Sequence, residues 1–163
     1  MYLKTFVTYG ETDRAAVAEW LRGLRLPSDL ACRIKVDVSL RSQAFMDALY
    51  HRADCYLSLS AAEGVGLGIA TAAQLRCPVV TTVFGGQRDY ISEDTAVVPH
   101  DRVPTQRYCG FGAAANETWA RPRIETAVRL LRRVRSSSVR PAVPATPLAP
   151  ADIRSAMVHL MGI

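Results

Sequence analysis

The residues best suited to chemistry in this chain lie in one glycine-rich segment, residues 61–68. A single carboxylate, Glu63, stands there close to three glycines, Gly64, Gly66 and Gly68. Glycines let backbone amides approach a ligand closely, and amides that open a helix are oriented to receive phosphate or diphosphate. The segment therefore predicts an anion-binding turn beside a carboxylate. A tight turn that holds no ligand is the alternative.

Metal and redox chemistry have much weaker candidates in this sequence. No two of the four cysteines have the short spacing of a zinc knuckle or a redox pair, and the three histidines are equally scattered. Cys55 and Cys77 stand in or beside apolar runs, which predicts that they are buried as small hydrophobic residues. We therefore expect neither a bound metal nor disulfides.

Composition and charge narrow the class of protein. The chain has 163 residues, of which 49% are hydrophobic and 21% charged, proportions typical of one soluble globular domain. The net charge of +5 favours an anionic partner or a solvated basic face. Nucleic acid is not expected, because the late arginines of residues 121–140 lack the interleaved aromatic side chains that stack on bases. The absence of a long apolar run or a signal-peptide core predicts no membrane span and a cytoplasmic location.

The elements that must position the glycine-rich segment alternate along the chain. Strands are expected at residues 2–9, 33–38, 54–59, 78–83 and 95–98, and helices at about residues 13–24, 42–53 and 67–76. In the first helix, Val17, Trp20, Leu21 and Leu24 are expected to form the apolar face. Residues 78–83 are almost continuously apolar, which predicts a strand buried on both faces. The alternation predicts an α/β fold with a single Rossmann-like, doubly wound parallel sheet.

The C-terminal part breaks this alternation. Residues 99–118 have little periodicity and are expected to be a loop, whereas residues 123–134 have the spacing of an amphipathic helix. Four prolines within residues 136–150 predict an extended linker, and residues 151–163 are expected to form a C-terminal helix that docks on the body. The predicted organisation is a Rossmann-like domain over residues 1–135, a Pro-rich linker and a docking helix.

Several segments together resemble one known family. Residues 53–60 predict a strand that ends in a small residue, and residues 63–67 are Glu-Gly-Val-Gly-Leu. An alanine-rich stretch follows, then Pro-Val-Val at residues 78–80 and the pair Gly85 and Gly86. This order resembles the C-terminal, donor-binding domain of retaining GT-B glycosyltransferases of the group 1 type. Residues 119–122, Trp-Ala-Arg-Pro, and the helix after them resemble a later segment of that domain, so the resemblance extends from residue 2 to residue 135.

The resemblance implies a site for a nucleotide-sugar donor at the carboxyl ends of the strands, where ligands bind in this fold class. Glu63 is then the catalytic carboxylate, which stabilises positive charge that develops on the sugar while backbone amides stabilise the leaving phosphate. The helix N-terminus replaces the divalent cation of other glycosyltransferases, so no metal or other cofactor is expected. The residues implied in donor binding are Lys4, Ser60, Gly64, Val65, Gly66, Leu67, Thr71, Gly85 and Gly86.

Two departures from the family pattern leave two functional hypotheses. The family has a second glutamate eight positions after the first, which receives the ribose hydroxyls; this chain has Thr71, which cannot make the same charge-assisted contact. A complete GT-B enzyme also has an N-terminal domain, and this chain corresponds to the donor half. One hypothesis is a glycosyltransferase whose acceptor half is supplied by a second copy in a homodimer or by a partner protein. The alternative is a non-catalytic Rossmann module that serves as an assembly or regulatory subunit.

Overall fold

The computed structural model of the chain describes residues 1–4, 14–89, 91–105 and 117–137. The chain divides into a first unit, Met1–Phe45, and a second unit, Met46–Ile163. Within the described residues, no helix combines the length and the apolar character that a membrane span requires.

The first unit contains a parallel pair of strands and two helices. β1 (Tyr2–Lys4) pairs with β2 (Lys35–Asp37) in parallel. α1 (Arg14–Gly23) and the one-turn helix α2 (Ser28–Ala31) lie between these strands in the sequence. Parallel strands need such a crossover connection, so the predicted strand–helix–strand order is confirmed in this unit. Residues 5–9 of the predicted first strand lie outside the described residues.

The predicted apolar face of α1 is wrong at two positions. Val17 is buried, but Trp20 is 55% exposed and Leu24 is 47% exposed. α1 ends at Gly23, and Arg25 has a φ of 48°, so Leu24 belongs to a turn and leaves the helical stripe. Val17 is thus the buried apolar residue of α1, and Trp20 and Leu24 remain in contact with solvent.

Helix α2 was not expected from the sequence. Pro27 predicts the end of the preceding element, yet its carbonyl oxygen accepts the amides of Leu30 (3.0 Å) and Ala31 (2.9 Å). Pro27 is the N-cap of α2, with φ −52° and ψ 142°, so the helical turn begins at the next residue. Pro27 therefore begins α2, whereas α1 has already ended at Gly23.

The second unit is built on a three-stranded parallel sheet with the strand order β3-β4-β5. These strands are Tyr56–Ser58, Val79–Thr82 and Ala96–Val98. α3 (Gln43–Arg52) leads into the unit, α4 (Leu67–Gln74) connects β3 to β4, and α5 (Ile124–Ser136) follows the sheet. The Ser42 hydroxyl oxygen accepts the Phe45 amide at 3.3 Å, a contact that agrees with the predicted start of α3.

Strand β4 is buried along its whole length, as its apolar run predicts. Val79 packs with Tyr50 of α3 and Ile69 of α4, whereas Val80 belongs to a second cluster with Ala127 of α5. Successive residues of a strand face opposite sides of a sheet, so helices cover both faces of this parallel sheet. The α/β, doubly wound fold class is confirmed. Within the described residues, the parallel strands form a pair and a triplet in place of one continuous ladder.

An antiparallel hairpin corrects the prediction of a loop over residues 99–118. β6 (His100–Pro104) pairs with β7 (Thr118–Pro122). Prolines and charged residues hide the alternation of these strands, and the ladder forms between residues far apart in the sequence. Helix α5 includes Ser136, the first residue of the predicted linker. The rest of the linker beyond Ser137 and the docking helix predicted at residues 151–163 lie outside the described residues.

Candidate functional site

Two turns at the carboxyl ends of β3 and β4 are joined by main-chain hydrogen bonds. The amide of Glu63 donates to the Phe84 carbonyl oxygen at 3.3 Å, and Glu63 and Gly85 form an isolated parallel bridge. The amide of Gly86 donates to the carbonyl oxygens of Gly64 at 2.9 Å and Glu63 at 3.3 Å. We call these two turns, residues 60–67 and 84–86, the double turn. Two segments that are distant in the sequence thus form one small assembly.

Gly85 makes the close approach of the two turns possible. Its φ of 137° is a conformation that L side chains rarely adopt. A Cβ atom at this position would also overlap the carbonyl oxygen of Glu63. Both the positive φ and the lack of room for a Cβ atom therefore require glycine at this position.

Gly66 begins helix α4 from a left-handed conformation. This buried residue is the N-cap, with φ 72° and ψ 50°, and its carbonyl oxygen accepts the amides of Ile69 at 2.9 Å and Ala70 at 3.0 Å. No side chain caps the helix. The amides of Leu67 and Gly68, as first-turn groups, have no acceptor inside the helix. They lie at the positive end of the helix dipole, which favours an anion.

The side chains around the double turn supply a carboxylate and hydroxyl groups. Glu63 is half-buried. The pKa of the Tyr56 hydroxyl in β3 is raised, chiefly by the burial of Tyr56 and secondly by the charge of Glu63. The hydroxyl oxygens of Ser58 and Ser60 lie 3.1 Å apart. The carbonyl oxygen of Ala61 accepts the amide of Ala120 in β7 at 2.8 Å, so the hairpin braces the first of the two turns.

Most of the residues expected in donor binding are brought together by this assembly. The double turn contains the predicted site residues Ser60, Glu63, Gly64, Val65, Gly66, Leu67, Gly85 and Gly86. Thr71 lies one turn further along α4, and its hydroxyl donates to the Leu67 carbonyl oxygen at 2.8 Å. Lys4 lies in β1 of the first unit, and its side chain is outside the described part of the structure. The roles of these residues stay predictions.

Three residues were missed by the sequence reasoning: Phe84, which belongs to the double turn, and His100 and Arg102, which lie beside it. The rings of Phe84 and His100 form a T-shaped contact, with centroids 5.4 Å apart and an interplanar angle of 85°. The guanidinium of Arg102 lies 5.7 Å from the centroid of the same ring. Both partners belong to β6, in a segment predicted as a loop, so no signal in the sequence placed them here.

A buried glutamine links the second turn to the end of strand β4. Gln87 is fully buried, and its Nε2 donates to the Thr82 carbonyl oxygen at the end of β4 at 3.0 Å. Its Oε1 has no hydrogen-bond partner in the described structure. An amide in this position ties the turn to the strand, at the cost of one unsatisfied polar atom.

A second polar cluster lies in the first unit. The Asp37 carboxylate accepts hydrogen bonds from the Tyr2 hydroxyl, from Arg41 Nε at 2.7 Å and from the Ser39 amide at 2.9 Å. The hydrogen bond from Arg41 is the largest cause that holds the pKa of Asp37 well below its usual range. A cavity of about 320 Å³ borders the cluster, with α1 residue Val17 on its wall. No sequence signal pointed to this cluster.

Metal ligation has no support from side-chain positions in the described ranges. Across residues 1–4, 14–89, 91–105 and 117–137, no three His, Cys, Asp or Glu side chains are grouped to hold an ion. Cys77 is fully buried, as expected, and Cys55 is half-buried. Burial raises the pKa of the Cys55 thiol to about 11. Cys109 lies outside the described residues.

Comparison with protein-family models identifies the family of this chain. A family model described as "Glycosyl transferases group 1" matches residues 4–107, which is more than half of the 163-residue chain and includes both turns of the double turn. A comparison with curated protein sequences found no significant match. The chain therefore belongs to the glycosyl transferases group 1 family.

Proposed function

We propose that this chain binds a nucleotide-sugar donor at the double turn and takes part in transfer of the sugar with retention of configuration. The observation that carries the proposal is the uncapped N-terminus of α4 beside Glu63, at the carboxyl end of a parallel sheet. Family membership supports the reaction class, and the geometry supports this place for the ligand.

The proposed chemistry divides between main chain and side chain. The first-turn amides of Leu67 and Gly68 receive the donor diphosphate, whose negative charge grows as it leaves. The Glu63 carboxylate stabilises the positive charge that develops on the sugar ring in an oxocarbenium-like transition state. In this proposal no metal is needed, because the helix terminus and backbone donors carry the leaving-group charge.

Transfer also needs an acceptor site. In a GT-B enzyme that site belongs to the other domain, so we propose that a second copy of the chain or a partner protein supplies it. Light scattering on the purified chain tests the first option, for which a concentration-dependent dimer is expected. A monomer at all concentrations leaves the partner protein as the acceptor half. The cytoplasmic location expected from the sequence stays a prediction.

A charge placed in the double turn tests the proposed site directly. Val65 is exposed, so Val65→Asp adds a carboxylate next to the proposed diphosphate without removing a buried side chain. We expect it to weaken nucleotide-sugar binding at least about tenfold through like-charge repulsion, measured by calorimetry with UDP-, GDP- and ADP-sugars. Val128→Asp makes the same change at an exposed valine of α5 and should leave affinity within about twofold. Equal affinity in both variants would contradict the site.

One observation favours the second candidate, a non-catalytic assembly or regulatory module. The Thr71 hydroxyl donates its hydrogen to the Leu67 carbonyl oxygen, and its neutral oxygen offers the ribose hydroxyls no charge-assisted acceptor. Thr71→Glu distinguishes the two candidates. If the family geometry holds, the new carboxylate should tighten nucleotide-sugar binding several-fold, through charge-assisted bonds to ribose. A wild-type chain that binds none of the three nucleotide-sugars, and a variant that gains none, would support the non-catalytic module.

A further inference from the structure

The cluster of Phe84, His100 and Arg102 lies at the edge of the double turn. The carbonyl oxygen of Phe84 accepts the Glu63 amide, so the ring is attached to a residue of the turn itself. Arg102 stands opposite Ala120 in the hairpin register, and the Ala120 amide donates to the Ala61 carbonyl oxygen. The ring and the cation are therefore each tied by main-chain contacts to one of the two joined turns.

Arg102 differs from two other arginines of the described structure in its surroundings. Arg41 and Arg123 each contact a carboxylate at 2.7 Å, on Asp37 and Asp101. The guanidinium of Arg102 is exposed and forms no ion pair within the described residues, where its neighbour is the Phe84 ring. Its charge is therefore not neutralised by a carboxylate of the described chain.

The aromatic ring restricts where this guanidinium can lie. A long arginine side chain loses considerable rotamer freedom when it binds a ligand, and a cation–π contact removes part of that freedom beforehand. The T-shaped contact with His100 supports the Phe84 ring in turn. The planar guanidinium keeps its hydrogen-bond donors for an oxyanion, which it can bind with two parallel bonds.

We propose that Arg102, positioned by Phe84 and His100, binds a phosphate of the donor diphosphate at the edge of the double turn. The proposal rests on the proposed function and adds a side-chain cation to the main-chain donors of α4. It assigns a substrate-contacting role to Arg102, in β6, and positioning roles to Phe84 and His100. The same charge would stabilise the diphosphate as it leaves the sugar.

Calorimetry with UDP, GDP and ADP on the full chain tests the proposal. For the nucleotide that binds most tightly, Arg102→Gln should weaken binding about ten- to a hundredfold, the range for loss of a charge-assisted contact. Arg102→Lys keeps the charge but loses the fork and should give an intermediate loss. Arg132→Gln removes an exposed arginine of α5 and should leave affinity within about twofold. Diphosphate affinity unchanged in Arg102→Gln would overturn the proposal.

Two further experiments test the positioning role of Phe84 and the preference of Arg102 for a diphosphate over a monophosphate. Phe84→Leu keeps the charge and an apolar side chain, and should weaken diphosphate binding several-fold while the Arg102→Gln effect shrinks in its presence. A merely structural Phe84 would lower the unfolding temperature and leave the Arg102→Gln effect at full size, which would overturn its positioning role. The loss in Arg102→Gln should be larger for the diphosphate than for the matching monophosphate. Equal losses of affinity for the two nucleotides would show that Arg102 does not contact the second phosphate, which would overturn the proposed diphosphate contact.

The outcomes also distinguish this proposal from the proposed function. A wild-type chain that binds no nucleoside diphosphate overturns both. A wild-type chain that binds one, with Val65→Asp defective and Arg102→Gln normal, retains the donor site and rejects the role of Arg102.

Discussion

The two units of this chain hold their polar groups in different ways. In the second unit, the double turn is joined by main-chain bonds above a sheet that packs between two apolar clusters. In the first unit, the buried carboxylate of Asp37 accepts hydrogen bonds from the side chains of Tyr2 and Arg41 and from the Ser39 amide. Trp20 and Leu40 of the same unit are exposed. One assembly depends on backbone geometry and the other on ionisable side chains.

This difference determines which perturbations each unit tolerates. Main-chain bonds do not titrate, and they accept most side-chain changes except where a Cβ atom would intrude. A carboxylate cluster depends on the charge of its members, so its contribution to stability changes with pH. We therefore expect glycine substitutions to affect the double turn most, and acid to affect the first unit more.

The largest effect on stability is expected at Gly85. Gly85→Ala should reduce the free energy of unfolding by about 3 kcal/mol, because alanine is strained at this φ and its Cβ overlaps the Glu63 carbonyl oxygen. Urea denaturation followed by circular dichroism measures the change. The loss should be the same at about pH 7 and at about pH 4, since no titrating group is removed.

Gly64→Ala is the matched control for that substitution. Gly64 is exposed, and a Cβ atom built on it meets nothing within 4 Å. The free energy of unfolding should change by less than about 0.5 kcal/mol. Similar losses in both variants would mean that the double turn does not require its close approach at Gly85.

A smaller effect, with a dependence on pH, is expected at Asp37. The pKa of Asp37 is lowered in the folded chain, chiefly by Arg41, so its ionised form stabilises the fold at neutral pH. Asp37→Asn should therefore be less stable than the wild type near neutral pH. The difference should shrink as the pH falls below about 4, where the unfolded carboxyl takes up a proton before the folded one does. A difference that stays constant from neutral pH to about pH 3 would contradict the role of the charge.

The last prediction concerns the reactivity of two cysteine thiols and involves no change in stability. Cys32 of the first unit is exposed, whereas burial raises the pKa of Cys55 in the second unit to about 11. Alkylation with iodoacetamide near neutral pH, read by peptide mass spectrometry, should label Cys32 faster than Cys55 by on the order of a hundredfold. In concentrated urea the two rates should become similar. Equal alkylation rates of Cys32 and Cys55 in the folded chain would show that the second unit does not shield the Cys55 thiol beside its sheet.

The sequence alone was sufficient where local pattern and burial agree. The apolar run of β4 and the helical spacing of α5 predicted elements that the structure contains, and the glycines around Glu63 predicted a turn at the carboxyl end of a strand. Each of these signals lies within about ten consecutive residues, and each reflects a backbone or packing requirement of that segment. The α/β class followed from their alternation.

Only the tertiary structure decided which distant segments meet. The contact of Gly86 with Gly64, the ladder between β6 and β7, and the approach of Arg102 to Phe84 all join residues far apart in the sequence. Such contacts leave no periodic trace, because they depend on where parallel strands end and on how the hairpin is tied to the turn. Residue type and spacing thus determined the glycine-rich turn, and three-dimensional packing decided which side chains surround it.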